Sequence, residues 1–304
     1  MVAILSYEEA ARMAQLEAAI VMQHDLSAFL DVAWRFPKLS MENICLILLQ
    51  NPNAVEINTE SEWRQCCYQL KSDAGAITLM VEKHNVVYLY DISQTDGKRT
   101  EPVPDPGQAY DALIKTLGKE PITLEQTKNR IAYYDASEHT WCVSAKANTD
   151  ARFYSIITYL ITQALEGKSQ IESMSAGDMA AYMLCQKYGI STQYIHMTNL
   201  QAVLYRMTDD TLRRNTIYAA MDCLEAEVFK DLWAYYSDRM MERKLEKDRE
   251  ADILAKAQEA KKKEEEARIQ ALVEQRVQQI TAEMQRPPEK KGLFGFWKRG
   301  ENGT

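Results

Sequence analysis

The chain has 304 residues, of which 46% are hydrophobic, and a formal net charge of −8. This length allows one or two domains plus an extended segment. The acidity argues against a strong general DNA binder, because non-specific affinity for nucleic acid comes mainly from neutralising phosphates. Only residues 238–304 have a positive balance, with 16 Lys and Arg against 14 Asp and Glu.

The first hundred residues alternate helical and strand-like patterns. Apolar residues at helical spacing predict helices, and alternating β-rich residues predict the two strands of a hairpin. A proline-rich stretch from Asp96 to Gly107 predicts a domain boundary. The predicted elements are a helix over 7–33, a helix from about Ser40 to before Asn51, a short helix over Glu60–Leu70, and strands at Ala76–Glu82 and Val86–Ile92.

The second part of the chain is predicted to be mostly helical. Helices are expected over Ala109–Leu117, Arg152–Glu166, Ser175–Tyr188, Asn199–Arg206 and Asp210–Trp233, with a strand pair at Arg130–Tyr134 and Thr140–Ser144. The fold class is therefore α+β. The expected division is 1–100, a linker over 101–107, 108–237, a charged helix over 238–286 and a tail over 287–304.

The spacing of the cysteines and the length of the apolar runs indicate the cellular compartment of the protein. The six cysteines include one adjacent pair, Cys66 and Cys67, but no C-x-x-C spacing. Neither a zinc knuckle nor a disulfide framework is therefore expected. With no secretory signal at the start and no apolar run long enough to span a bilayer, the sequence predicts a cytoplasmic protein with reduced thiols.

The N-terminal segment resembles ArdC-type antirestriction proteins. The motif FLDVAWRFPKLSMENICLILLQNP over 29–52 is followed by Trp63 and by YDISQT over 90–95. The resemblance implies a single-stranded-DNA-binding domain followed by a zinc-peptidase domain, as in proteins of conjugative elements. The residues that match the family's pattern are Phe29, Leu30, Arg35, Phe36, Ser40, Asn43, Leu46, Ile47, Gln50 and Pro52.

The second domain resembles the peptidase half of the same family, without its zinc ligands. The A-Y-Y-D hairpin matches Ala132–Asp135, but the position of the family's H-E-x-x-H motif is occupied by Thr158 to Thr162. Threonine hydroxyls do not bind zinc as imidazoles do. Asp178 is the one carboxylate near the expected third ligand. We therefore expect no metal, no cofactor and no catalytic residue.

Candidate nucleic-acid-binding residues combine aromatic rings, cations and amides, the types that stack on bases and contact phosphates. The alternative is that the aromatic residues belong to the core and that the amides brace a loop. A lysine beside an aspartate, in place of the family's basic turn, predicts weak affinity. The candidates are Trp34, Arg35, Phe36, Asn43, Gln50, Trp63, Arg64 and Lys71.

The C-terminal region carries two further candidate surfaces. Ile269, Val273, Val277, Ile280 and Met284 recur at spacings typical of a short coiled-coil seam, which predicts a protein partner through 269–284. In the tail after Pro288, pairs of basic residues flank large apolar residues. This pattern fits either an anionic membrane surface or protein docking. Its apolar residues are Leu293, Phe294, Phe296 and Trp297.

Three functions fit these patterns. The first is a non-enzymatic accessory protein of a mobile element that binds single-stranded DNA and carries an inactive peptidase-like domain. The second is a protein-interaction scaffold that acts through the C-terminal helix and tail. The third, an active zinc peptidase, is disfavoured because no histidine lies between His139 and His196.

Overall fold

A computed structural model describes residues 5–97, 105–125, 130–167 and 170–284, with the backbone alone at 170–173 and 282–284. The described helices are α1 (Tyr7–His24), α2 (Leu26–Ala33), α3 (Met41–Gln50), α4 (Glu60–Gln65), α5 (Pro106–Leu117), α6 (Thr149–Ala164), α7 (Gln170–Tyr188), α8 (Met197–Arg206), α9 (Asp210–Cys223) and α10 (Glu227–Met284). The described strands are β1 (Ile57–Asn58), β2 (Ile77–Val81), β3 (Asn85–Asp91), β4 (Ile122–Leu124), β5 (Ala132–Asp135) and β6 (Thr140–Ser144). This arrangement confirms the α+β class with a long C-terminal helix.

Side-chain caps decide where the N-terminal helices begin. Ser6 and Glu9 form a capping box at α1, and the amide of Asn43 donates to Ser40 at the start of α3. The prediction of one helix over 7–33 is wrong, because α1 ends at His24. The amide of Ala28 donates to the carboxylate of Asp25, which starts α2 as a separate helix.

The first sheet has the strand order β1-β3-β2 and is antiparallel throughout. The hairpin between β2 and β3 turns through Lys83 and His84, both with positive φ. Ile77 and Leu79 of β2 are buried, and Val87 and Leu89 of β3 pack against the same core. One face of this sheet therefore covers the N-terminal helices.

The second sheet has the order β4-β6-β5. The predicted antiparallel pair β5–β6 is present, with Tyr134 opposite Trp141. Strand β4, which was not predicted from the sequence, runs parallel to β6 and pairs Ile122 with Cys142. The expected helix over Asp210–Trp233 is interrupted, because α9 ends at Cys223 and α10 begins at Glu227.

The described residues fall into two units, divided between Arg243 and Lys244. Both predicted domains lie in the first unit, where they share one hydrophobic cluster. Arg214 of α9 pairs with Glu42 of α3, and the Tyr182 hydroxyl of α7 donates to Asp31 of α2 at 3.0 Å. Most of the expected linker (101–104) lies outside the described residues, and the domain division stays a prediction.

The second unit is described up to Met284 as the continuation of α10. Of the described helices, none combines the length and the apolar character needed to cross a membrane. The tail with Leu293, Phe294, Phe296 and Trp297 lies outside the described residues, so the prediction of an anionic membrane surface stays untested.

Candidate functional site

Asn43 and Gln50 meet the outer edge of β2. The Asn43 side chain donates to the Met80 carbonyl at 2.9 Å and accepts from the Met80 amide at 2.8 Å. Gln50 forms the same pair of bonds with Thr78, at 3.0 and 2.9 Å. Two side-chain amides on one face of α3 therefore satisfy the backbone groups that β2 turns away from β3.

Arg35 joins the end of α2 to the loop after α3. Its guanidinium donates to the carbonyl of Asp31 at 2.8 Å, to that of Pro52 at 2.6 Å and to that of Ala54. The neighbouring rings of Trp34 and Phe36 are partly buried and pack against the hydrophobic core. The R-F part of the motif thus makes contacts that hold the N-terminal helices together.

Trp63, Arg64 and Lys71 lie around the segment that ends β3. The Trp63 indole is 1% exposed and donates to the Tyr90 carbonyl at 2.7 Å, so it offers no ring face to a base. The Lys71 ammonium donates to the Ser93 carbonyl at 2.7 Å. Arg64 is exposed and pairs with Glu60 one helical turn away.

The buried carboxylate of Asp91 accepts several backbone hydrogen bonds at the end of β3. Its carboxylate accepts from the amides of Val55 at 2.7 Å, Glu56 at 3.2 Å and Ser93 at 2.9 Å, and the residue is 1% exposed. Burial acts to raise the pKa of Asp91, but these hydrogen bonds outweigh it and hold the pKa below its usual value. The Y-D-I-S-Q-T motif is therefore a structural turn anchored by a carboxylate.

Tyr88 and Tyr90 were not among the candidate residues predicted from the sequence. Both alternate with the core-facing Val87 and Leu89, so their side chains lie on the opposite face of β3. Tyr88 is 37% exposed and Tyr90 is partly exposed. The alternation in V-V-Y-L-Y (86–90) predicts this exposure from the sequence, since side chains two residues apart lie on the same face of a strand.

Helix α6, where the resemblance placed the zinc motif, presents no zinc ligands at Thr158 and Thr162. The Thr158 hydroxyl donates to the Tyr154 carbonyl at 3.0 Å, and that of Thr162 donates to the Thr158 carbonyl at 2.8 Å, so both point back to α6. Partial burial of the Asp178 carboxyl raises its pKa, while the charge of His196 opposes that rise. Across the described residues, no three His, Cys, Asp or Glu side chains are grouped to hold a metal. These residues do not fit a zinc ion.

A groove of about 930 Å³ lies between α5, the second sheet and residues 235–242 of α10. Its cations are already engaged: Lys115 lies 4.3 Å from the ring centre of Tyr235, and Arg152 donates to the Ser144 carbonyl at 3.0 Å. The carboxylates of Asp111, Glu120 and Glu242 also line the groove. This mixture of charges favours no particular class of ligand.

Comparison with known proteins gives only distant likenesses. No protein-family model matches the chain, and no curated protein does. Two solved structures of the antirestriction protein ArdC from the R388 plasmid are similar. The metal-free form has 12% identity and a TM-score of 0.40, over 75% of this chain and 98% of that chain.

The Mn(II)-bound form has 13% identity and a TM-score of 0.39, over 77% of this chain and 98% of that chain. Values this low do not establish membership of the ArdC family. The resemblance seen in the sequence motifs, and the DNA-binding role of the candidate residues other than the buried Trp63, stay predictions.

Proposed function

We propose that this chain is a non-enzymatic interaction protein whose C-terminal helix pairs with another helix. One observation carries this proposal. Beyond Lys244, helix α10 continues to Met284 with large apolar side chains exposed among charged ones. The exposed fractions are Ile253 68%, Leu254 61%, Ile269 55%, Leu272 58%, Val273 56%, Val277 56% and Ile280 44%.

Burial of these side chains against a partner is favourable, because taking a fully exposed large aliphatic side chain out of water contributes up to about 1.5–3 kcal/mol. Intrahelical ion pairs also support the helix, such as Lys263 with Glu259 at 2.8 Å. Exposed pairs of this kind contribute only about 0.3–0.5 kcal/mol each. They stabilise the helix slightly but do not explain why its large apolar residues are exposed.

Site-specific photo-crosslinking in cells tests this proposal. A photoreactive amino acid at Ile269 is expected to form covalent adducts with a partner chain. The same amino acid at Ala260 is the matched control, because a separation of nine residues places it about half a turn away on the helix. Adducts from both positions alike, or from neither, would contradict pairing through the side of the helix that carries Ile269.

A second candidate function is weak binding of single-stranded DNA by the first sheet, the accessory role in a mobile element that the sequence motifs imply. Tyr88 and Tyr90 on the face of β3 away from the core support it, because aromatic rings on an open sheet are platforms for base stacking. The exposed Arg64 and Lys71 supply cations. Few phosphates would be neutralised, so we expect a shallow dependence on salt.

Binding of a fluorescent pyrimidine oligonucleotide at two salt concentrations tests the second candidate. Tyr88→Ala is expected to weaken binding by about 1–3 kcal/mol, the contribution of one base stacked on an aromatic ring. Tyr205→Ala is the control, since Tyr205 is 60% exposed on α8 and lies outside the first sheet. Equal affinity for duplex and single-stranded DNA, or an equal loss of affinity in Tyr88→Ala and Tyr205→Ala, would count against this site.

A further inference from the structure

One face of the second unit carries a stripe whose centre is charged. The stripe follows the spacing four, four, three, four, three, four, which keeps its members on one side of a helix. Leu254 and the pair Ile269 and Leu272 lie on either side of Lys262 and Glu265. Its members are Leu254, Gln258, Lys262, Glu265, Ile269, Leu272 and Arg276.

Charge reverses sign about the midpoint of this stripe. Lys261–Lys263 are followed directly by Glu264–Glu266. Residues equally distant from the junction between 263 and 264 carry opposite charges wherever both are charged. This holds for 263 with 264, 262 with 265, 261 with 266 and 259 with 268, and no pair of like charges occurs between 246 and 281.

We infer that the partner of this helix is the same helix of a second copy of the chain, running antiparallel, with the two-fold axis at the 263/264 junction. This inference rests on the proposed pairing function of α10. In that arrangement Lys262 of each copy lies at the level of Glu265 in the other. Leu254 then lies at the level of Val273, and Ala255 at that of Leu272.

The overlap would extend over residues 247–280, a contact about 50 Å long at 1.5 Å per residue. On each side of the two central Lys–Glu layers would come a mixed layer of Gln258 with Ile269, followed by apolar layers of Ala255 with Leu272 and Leu254 with Val273. Charged pairs at the centre of a helix–helix contact fix register and orientation, since any shift leaves the charges without their partners. The charged centre therefore selects one alignment.

A parallel pair of these helices is disfavoured by its charges. In a parallel pair in register, Lys261–Lys263 face the same three lysines, and Glu264–Glu266 face the same glutamates. Like charges held side by side disfavour association. Ion pairs within one helix, such as Lys262 with Glu266 at 3.9 Å, compensate some of these charges. They do not account for the symmetric placement of the opposite charges about the 263/264 junction.

Sedimentation equilibrium of the full chain and two charge variants tests the antiparallel pair. The wild-type chain is expected to dimerise. Lys262→Glu and Glu265→Lys are each expected to weaken dimerisation roughly a hundredfold, because each places two like-charged pairs in the seam. The double variant, and an equimolar mixture of the two single variants, are expected to restore it. Circular dichroism of each variant shows whether the helix itself persists.

Disulfide trapping gives the orientation independently. In a Cys66→Ser/Cys67→Ser background, a mixture of Gln258→Cys and Ile269→Cys chains is expected to cross-link, and each variant alone is not. Cross-linking of each variant with itself would indicate a parallel pair and overturn the inference. A wild-type chain that stays monomeric at the highest concentration it tolerates would overturn it too. If Ile269 still cross-links to a different protein, the pairing function stands and only self-pairing fails.

Discussion

Paired amide hydrogen bonds give Asn43 a structural contribution that can be measured. Asn43→Ala leaves the amide and carbonyl of Met80 without their partner in a region that is mostly buried. We expect the free energy of unfolding to fall by about 1–3 kcal/mol, the usual cost of leaving a buried polar group unsatisfied. Chemical denaturation measures it.

The matched control for Asn43 is Gln65→Ala, at an exposed amide side chain near the end of α4. Changes at such surface positions usually stay within about 0.5 kcal/mol. If both substitutions changed the unfolding free energy equally, the bonds between α3 and β2 would not be the cause.

Asp91 makes stability depend on pH in a defined direction. Its pKa in the folded protein lies below that of an unfolded aspartate, about 3.9. The ionised carboxylate therefore contributes stability that is fully present above about pH 3.9 and is lost as the pH falls through the lower folded pKa. We expect Asp91→Asn to be less stable at neutral pH and to lose less stability on acidification.

Denaturant unfolding at a series of pH values between about 6 and 3 measures this dependence. Asp73→Asn, at an exposed aspartate in the loop before β2, is the control and should keep the wild-type profile. An unchanged acid dependence in Asp91→Asn would contradict the assignment.

At the scale of elements, the side chains of α6 lead us to expect no stoichiometric zinc in the purified protein. The two threonine hydroxyls are hydrogen-bonded within the helix, and zinc requires thiolate, imidazole or carboxylate ligands. Elemental analysis of the purified, dialysed protein measures this. A Thr158→His/Thr162→His variant is the positive control, since it introduces two imidazoles one turn apart and should retain more zinc. About one zinc per wild-type chain would revive the peptidase hypothesis.

Most elements could be predicted from the sequence because their signals are local. Periodicity and the caps at Ser6 and Ser40 indicate helices, and alternation indicates β2 and β3. The interruption at Asp25 was missed because apolar periodicity continues across it. The parallel pairing of β4 with β6 depends on contacts between segments distant in the chain, which no local pattern reveals.

The same limit applies to the candidate site. The residue types of Asn43 and Gln50 fit either DNA contact or bracing, and only their distance to β2 shows what they touch. Trp63 was a candidate platform for bases, whereas the fold buries it. Tyr88 and Tyr90 could have been found from alternation alone, once Val87 and Leu89 were assigned to the core.

For the whole molecule, we expect the first unit to fold without the second. A chain that ends at Arg243 keeps the ion pair of Arg243 with Asp105 and the buried Met240. Its melting temperature should stay close to that of the full chain, measured by circular dichroism. A chain that ends at Asp238 loses both contacts and should melt lower. Equal melting temperatures of the two truncations, or a large loss in the longer one, would contradict this division.

The two amides of α3 also bear on aggregation. An edge strand with free backbone groups is a template on which another chain can add a strand. Asn43 and Gln50 occupy those groups on Thr78 and Met80, so β2 is closed to such addition once α3 has docked. During synthesis α3 is made before β2. The segment that closes this edge is therefore already part of the chain when the vulnerable strand appears.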